Sequence, residues 1–437
     1  MYKTIKKLVG VALISSMIAC GFAGCSKSGN DNKGDGKTVN LTYWHIFVGA
    51  DSHTEYMKKL LDQFEKDNPN IKIEEQGIPN DQYKTKLQTQ AAAKQLPDMF
   101  INWAGALTQQ FQQAGLITDI TDLLDKNQDW KNGFVKGCYD DYTIDGKVYS
   151  LPVELGFTSV VYYNKALFDK YNLQFPKNFD ELVSDVAVFK KNNVIPISMG
   201  DKAPWLAQSC IMSSLGDHMT GTDWTKSVAA NKGAKFTDPE FINGLKKLKQ
   251  LVDIGAFNED FNTIDATQQL DNFCAGKAAM VIDGTWAVGD IAKKAGDDMV
   301  KNFEVASIPG FTDGKGDQTT MSGATGIGLE LNSNLTAEKK AAAEKFIQYI
   351  LSKSSFETAV NNSIIVPYDV TPDESKLNPL FVKLLKLTKE HTMSPVYDGI
   401  FGAQTADAMN TGLQSMMIGQ VKPEDLAKQI QDTVGSK

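Results

Sequence analysis

The sequence predicts an α/β protein built from layered, largely parallel sheets. Three observations carry this reading. Apolar residues recur at helical spacing in some segments and at strand spacing in others, and the two kinds alternate along the chain. The chain has 437 residues, room for two to three domains of about 150 residues each. Hydrophobic residues make up 42% and charged residues 22%, which is ordinary for a soluble globular protein and excludes disorder, collagen and a disulfide-dense mini-protein.

Residues 38–44 alternate apolar and polar side chains, the pattern of a half-buried strand. Residues 52–68 follow as a helix, with Tyr56, Leu60, Leu61 and Phe64 on one face. Asn68-Pro69-Asn70 stops it. Residues 71–74 form a second strand, 82–94 a helix ended by Leu96-Pro97, and 99–101 a third strand. Further on, 178–192, 239–254 and 337–351 read as helices, and 278–282 as a buried apolar strand. There is no internal repeat.

The first 25 residues form a targeting segment. Lys3, Lys6 and Lys7 precede an uncharged apolar stretch that ends in Ala23-Gly24-Cys25. It resembles a bacterial lipoprotein signal, with Phe22 in place of the usual leucine. The resemblance implies removal of 1–24 and acylation of Cys25, which anchors the protein to a membrane on the extracytoplasmic face. Cys20, or an ordinary cleaved signal, are the alternatives. Residues 25–37 then serve as a polar, glycine-rich tether. No later stretch has enough consecutive apolar residues to span a bilayer.

The net charge is −8, and all 45 basic residues are lysine. Losing the three lysines of 1–24, which contains no acid, takes the mature chain to −11. Arginine's planar fork is the preferred grip on phosphate and carboxylate. An acidic chain without arginine is a poor partner for nucleic acid, and strongly anionic ligands are disfavoured. Cys138, Cys210 and Cys274 are far apart, odd in number and without a CxxC pair, so buried free thiols are expected. His45, His53, His218 and His391 lack ligand spacing. Neither a metal nor a cofactor is expected.

Several segments together resemble the family 1 extracellular solute-binding proteins, the carbohydrate receptors of ABC importers. They are Leu41-Thr42-Tyr43-Trp44, the run from Phe64 to Ile73, Asp81-Gln82-Tyr83, Pro97-Asp98-Met99-Phe100 and Tyr163-Asn164-Lys165. The most specific is FCAGKAAMVIDGTW, which contains Phe273, Gly276, Ala279, Met280, Gly284 and Trp286. The resemblance implies a two-lobed, type II periplasmic-binding-protein-like fold with a multi-crossing hinge and the ligand in the cleft. It places chain crossings near 150–153, 308–310 and 356. Lobe one would be 38–151 plus 310–355, and lobe two 152–309 plus 356–437. The chain would act as a monomer and deliver its ligand to a membrane permease.

A neutral sugar presents apolar C–H faces to an aromatic ring and hydroxyls to directed donors and acceptors. Trp44, Trp103, Trp205 and Trp286 fall where strands end or loops begin, the ligand side of an open α/β sheet. The resemblance makes Trp286 the stacking tryptophan and Glu154 a hydroxyl acceptor. Asp283 is a second acceptor or a helix N-cap. Ser322 and Gly323 open a small-residue run that lets backbone approach a ligand. Tyr397 and Asp398 reach the cleft from lobe two. Trp130 and Trp224 are structural, the latter in a polar loop.

Three rivals stand beside a sugar or oligosaccharide receptor. One is a receptor for a polyamine or ferric iron. Another is a lipid-anchored glycoside hydrolase with paired carboxylates, although no GxSxG nucleophile motif occurs. The last is a purely structural lipoprotein.

Overall fold

The computed structural model describes residues 38–49 and 52–434. The expected signal, acylated Cys25 and tether lie outside the described residues. Leu41 and Tyr43 alternate inward along the strand Val39–His45. The helix Ser52–Asp67 lays Tyr56, Leu60, Leu61 and Phe64 onto the same core. Its end is closed by Asn68, whose side-chain amide donates to the Phe64 carbonyl at 2.8 Å. The helix Pro239–Asp253 starts with proline at its first position, where no N–H is needed. The helix Ala266–Cys274 carries a capping box between Asp265 and Gln268.

Two larger sheets organise the chain, and both are mixed rather than largely parallel. The first runs Ile71–Gly77, Val39–His45, Met99–Trp103, Ile327–Leu331, Ser150–Pro152. Its first three strands are parallel, and Ile327–Leu331 is antiparallel to both of its neighbours. The second runs Phe303–Ser307, Val160–Asn164, Ala278–Asp283, Ile195–Ser198. Only its last pair is parallel. A third sheet of three strands, Thr392–Pro395, Thr320–Ala324 and Gly156–Phe157, lies on the chain's path between them.

Two hydrophobic cores are buried. One gathers Tyr43, Phe64, Ile101, Leu329 and Phe346 and extends to Tyr162, Val281 and Phe303 on the second sheet, and the other holds Phe168, Phe189, Phe241, Met280 and Leu413. The chain leaves the first sheet after Pro152 and reaches the second through Gly156–Phe157. Past 310, Phe311 still packs in the second core, 5.0 Å from the Phe179 ring, and Gln318 donates to the His218 carbonyl at 2.8 Å, before the chain enters the strand Thr320–Ala324. Phe356 stacks on Tyr368 at 5.3 Å and lies 6.0 Å from the Phe134 ring. The helix Pro379–Glu390 packs on the second sheet, where Lys383 donates to the Phe303 carbonyl and pairs with Glu304.

Cys138, Cys210 and Cys274 are free and buried. Burial pushes the Cys138 and Cys274 thiols up to about 12. Among the described residues no helix is long and apolar enough to cross a membrane.

Candidate functional site

The strand Ala278–Asp283 is buried along its whole length and runs in the middle of the second sheet. Its apolar run needs that sandwiched position, and it ends in the turn Asp283-Gly284-Thr285-Trp286. Trp286 stands immediately before the helix Ala287–Val300 and packs against both cores. Gly284 makes room for it, since a Cβ there would lie 2.3 Å from the indole ring. The Asp283 carboxylate accepts from the Gly284 N–H at 2.7 Å and from Gln269 Nε2 at 2.8 Å. Burial nevertheless pushes this carboxyl up to about 6. Gln269 turns its oxygen to the Gly200 N–H at 2.9 Å. One glutamine thus ties the Trp286 turn to the loop that carries Trp205. The Trp205 and Trp286 rings lie 6.2 Å apart, tilted by 55°.

The first sheet supplies the facing side. Trp103 ends the strand Met99–Trp103, with the Tyr83 ring 5.8 Å away, edge to face. The helix Asn80–Ala92 brings Lys84, whose ammonium sits 4.5 Å from the Trp103 ring centre and 3.0 Å from the Asp398 carboxylate. The Ser209 hydroxyl also donates to Asp398, at 3.3 Å. One turn before Lys84, the Asp81 carboxylate accepts the Trp205 indole N–H at 3.2 Å. Beside these contacts Gly105 and Gly399 meet backbone to backbone.

Of the residues expected from sequence, Trp103, Trp205, Trp286 and Asp398 are brought into this linked group. The others have different surroundings. Trp44 is paired in register with Phe100, three residues before Trp103. Strand alternation therefore turns the two tryptophans to opposite faces of the sheet, and the Trp44 ring carries the Lys86 ammonium at 4.6 Å. Glu154 is engaged by His53 Nε2 at 2.8 Å. Asp283 is 2% exposed and caps no helix; its carboxylate is taken up by Gly284 and Gln269.

Ser322 is fully enclosed, hydrogen-bonded to Thr158 at 2.8 Å and to Ser159. Gly323 makes room for a strand, not a ligand: a Cβ there would lie 2.7 Å from the Gly156 carbonyl. Tyr397 is a core residue between Phe241 and Phe401. Trp130 and Trp224 donate to the Leu351 carbonyl and to Asp238, both at 2.8 Å, and Trp224 lies on the helix Thr222–Ala229 rather than in a loop.

Sequence reading missed Asp81, Lys84, Ser209, Gln269 and Gly105. The available signal was Asp81-Gln82-Tyr83 itself, a polar start to a helix that lies within the resemblance. Among the described residues no group of three or more His, Cys, Asp or Glu side chains could hold a metal ion.

An aromatic pair linked through one helix to a third tryptophan and to the carboxylates of Asp81 and Asp398 suits the binding of a small molecule. The sequence pattern of the bacterial extracellular solute-binding proteins matches residues 50–355. The chain belongs to that family.

This solute-binding protein is 26% identical over 393 residues to a multiple sugar-binding protein of Streptococcus mutans, covering 87% of this chain and 86% of the relative. Among solved structures it is similar to a chitin oligosaccharide binding protein, with TM-score 0.84 and 25% identity over 91% of this chain and 98% of the other. A structure from work on xylan utilization by the thermophilic bacterium Caldanaerobius polysaccharolyticus gives TM-score 0.83 and 29% identity, over 91% and 100%. The fold is the two-lobed type II fold of the periplasmic binding proteins.

Proposed function

We propose that this protein is the sugar-capturing receptor of an ABC importer. It is held outside the cell membrane by a lipid on Cys25 and hands a neutral sugar or oligosaccharide to a permease. The observation that carries this reading is the Trp205–Trp286 pair, 6.2 Å apart, with Trp103 and Asp398 linked to it through the helix Asn80–Ala92. Indole faces stack on sugar C–H surfaces, and carboxylates accept hydroxyls. Relatives named for sugars and oligosaccharides support the same class.

In this reading lobe one comprises about 38–152 with 325–370, and lobe two about 157–320 with 378–437. The small third sheet is the hinge. Sugar enters the open cleft, stacks on Trp286 and Trp205, and the lobes close around it. No bond is made or broken. Release follows when docking on the permease reopens the lobes.

A thermal-shift screen over mono- and oligosaccharides tests the reading, because a ligand that binds only the folded state raises its melting temperature. At least one sugar is expected to do so, and Trp286→Ala should abolish the shift while leaving the ligand-free melt intact. Turnover of labelled oligosaccharide, or a full shift in the variant, would refute it.

One observation favours a second reading, a polyamine receptor. The Lys84 ammonium lies over Trp103 and against Asp398, the contacts an alkylammonium ligand would make. Spermidine in the same screen separates the two.

A further inference from the structure

Asp81 and Lys84 stand three residues apart, so they share one face of the helix Asn80–Ala92. Both reach across the cleft. Asp81 takes the Trp205 indole N–H, and Lys84 takes the Asp398 carboxylate and the face of Trp103. A donor N–H, an acceptor carboxylate and an aromatic face are the three things a sugar uses. In this structure one helix of the protein occupies all three. The backbones of Gly105 and Gly399 approach closely beside them, so that a Cβ on Gly105 would meet the Gly399 carbonyl.

We propose that Asp81 and Lys84 form a latch that holds the ligand-free cleft shut and sets affinity by competing with the sugar for the same groups. The proposal rests on the sugar-capture reading above. The Lys84 side chain is 38% exposed and that of Asp398 15%. An ion pair on such a seam holds at low ionic strength and weakens as salt screens it. A ligand that must enter an open cleft binds with an apparent affinity reduced by the fraction of molecules that are open. Loosening the latch therefore strengthens sugar binding, the opposite of what losing a sugar contact would do.

The test compares the full folded chain with the double variant Asp81→Ala/Lys84→Met, which keeps the length of the lysine stem. Small-angle X-ray scattering without ligand reads lobe opening. The native chain should be compact at low salt and expand at high salt, and the variant should be expanded at both. Sugar titration should give an apparent Kd about three- to tenfold lower in the variant at low salt, with the gap closing as salt rises. Equal ligand-free dimensions of the two proteins at low salt would overturn the latch, and so would weaker sugar binding by the variant. If no sugar binds the native chain, the sugar-capture reading fails, while the scattering comparison still decides the latch.

Discussion

Gly105 and Gly399 approach so closely across the cleft that a Cβ on Gly105 would lie 2.2 Å from the Gly399 carbonyl oxygen. Gly105 also has φ +82°, a conformation that L side chains rarely adopt. Gly105→Ala should both strain the backbone and wedge the lobes apart. We expect sugar affinity to fall by at least about tenfold, since closure completes the site. Gly115→Ala is the control: φ there is +66° with nothing within 4 Å of the added Cβ. It should lose about 1–2 kcal/mol of stability yet bind normally in calorimetric titration. Normal binding by Gly105→Ala would show that closure tolerates the extra atom.

Gly216 lies in the helix Ser213–Thr220, where alanine ordinarily stabilises by up to about 1 kcal/mol. Here a Cβ would sit 1.9 Å from the Tyr397 hydroxyl oxygen, in a closed core. The sign should reverse, with Gly216→Ala losing about 1–3 kcal/mol by overpacking. Urea unfolding measures this directly, and combining it with Tyr397→Phe should recover part of the loss.

Trp103 and Trp44 offer a separation of binding from folding. Trp103→Ala should weaken sugar binding by about tenfold or more, the worth of a stacking contact, with a modest effect on the ligand-free melt. Trp44→Ala opens a gap between sheet and helix and should cost about 2 kcal/mol, while the sugar-induced thermal shift survives. The reverse pattern would exchange the two roles.

Glu330 sits at 0% exposure in the first sheet, accepting from Asn102 at 2.8 Å and Thr108 at 2.6 Å. Burial pushes its carboxyl up to about 7. Between the unfolded value, about 4.3, and this one, the folded chain holds a proton that the unfolded chain has released. Its contribution to stability is complete below the unfolded value and is lost as pH rises toward 7. Glu330→Gln stays neutral, so it should match the native chain near pH 4 and exceed it by about 1–3 kcal/mol near pH 8. Urea melts across this range check the slope. Some decline should persist in the variant, because burial also raises Asp201 to about 7 and Asp185 and Asp283 to about 6. Parallel slopes in both proteins would assign the effect to those groups instead.

Helices and strands with strong local signals were legible in the sequence. Pro239 and the spacing of Phe241, Leu245 and Leu248 define their helix, and the unbroken apolar run 278–282 defines its strand. Trp224 was misplaced because its helix is short and polar and begins after Gly221 at φ +89°. Strand direction was not legible, since alternation reports which face is buried and not which neighbour is parallel. The small residues Ser322 and Gly323 suit any close backbone approach, a ligand's or a strand's, and here the approaching backbone is another strand. Trp286 and Trp205 stand out in the sequence as single residues at loop starts. That Gln269 joins their supports, and that Asp81 and Lys84 meet them from the other side, depends on contacts across 69 to 314 positions of chain.

The enclosed cysteines bear on how this protein can be instrumented. Cys138, Cys210 and Cys274 are at most 8% exposed, and a thiol held far above neutral pH stays unreactive. Maleimide dyes should therefore ignore them in the folded chain. Val135 and Ile418 are 46% and 51% exposed and follow Phe134 and Met417, which are buried in different cores. Cysteines placed there, in a chain that begins after the tether, would be the reactive pair for a fluorescent reporter of cargo loading.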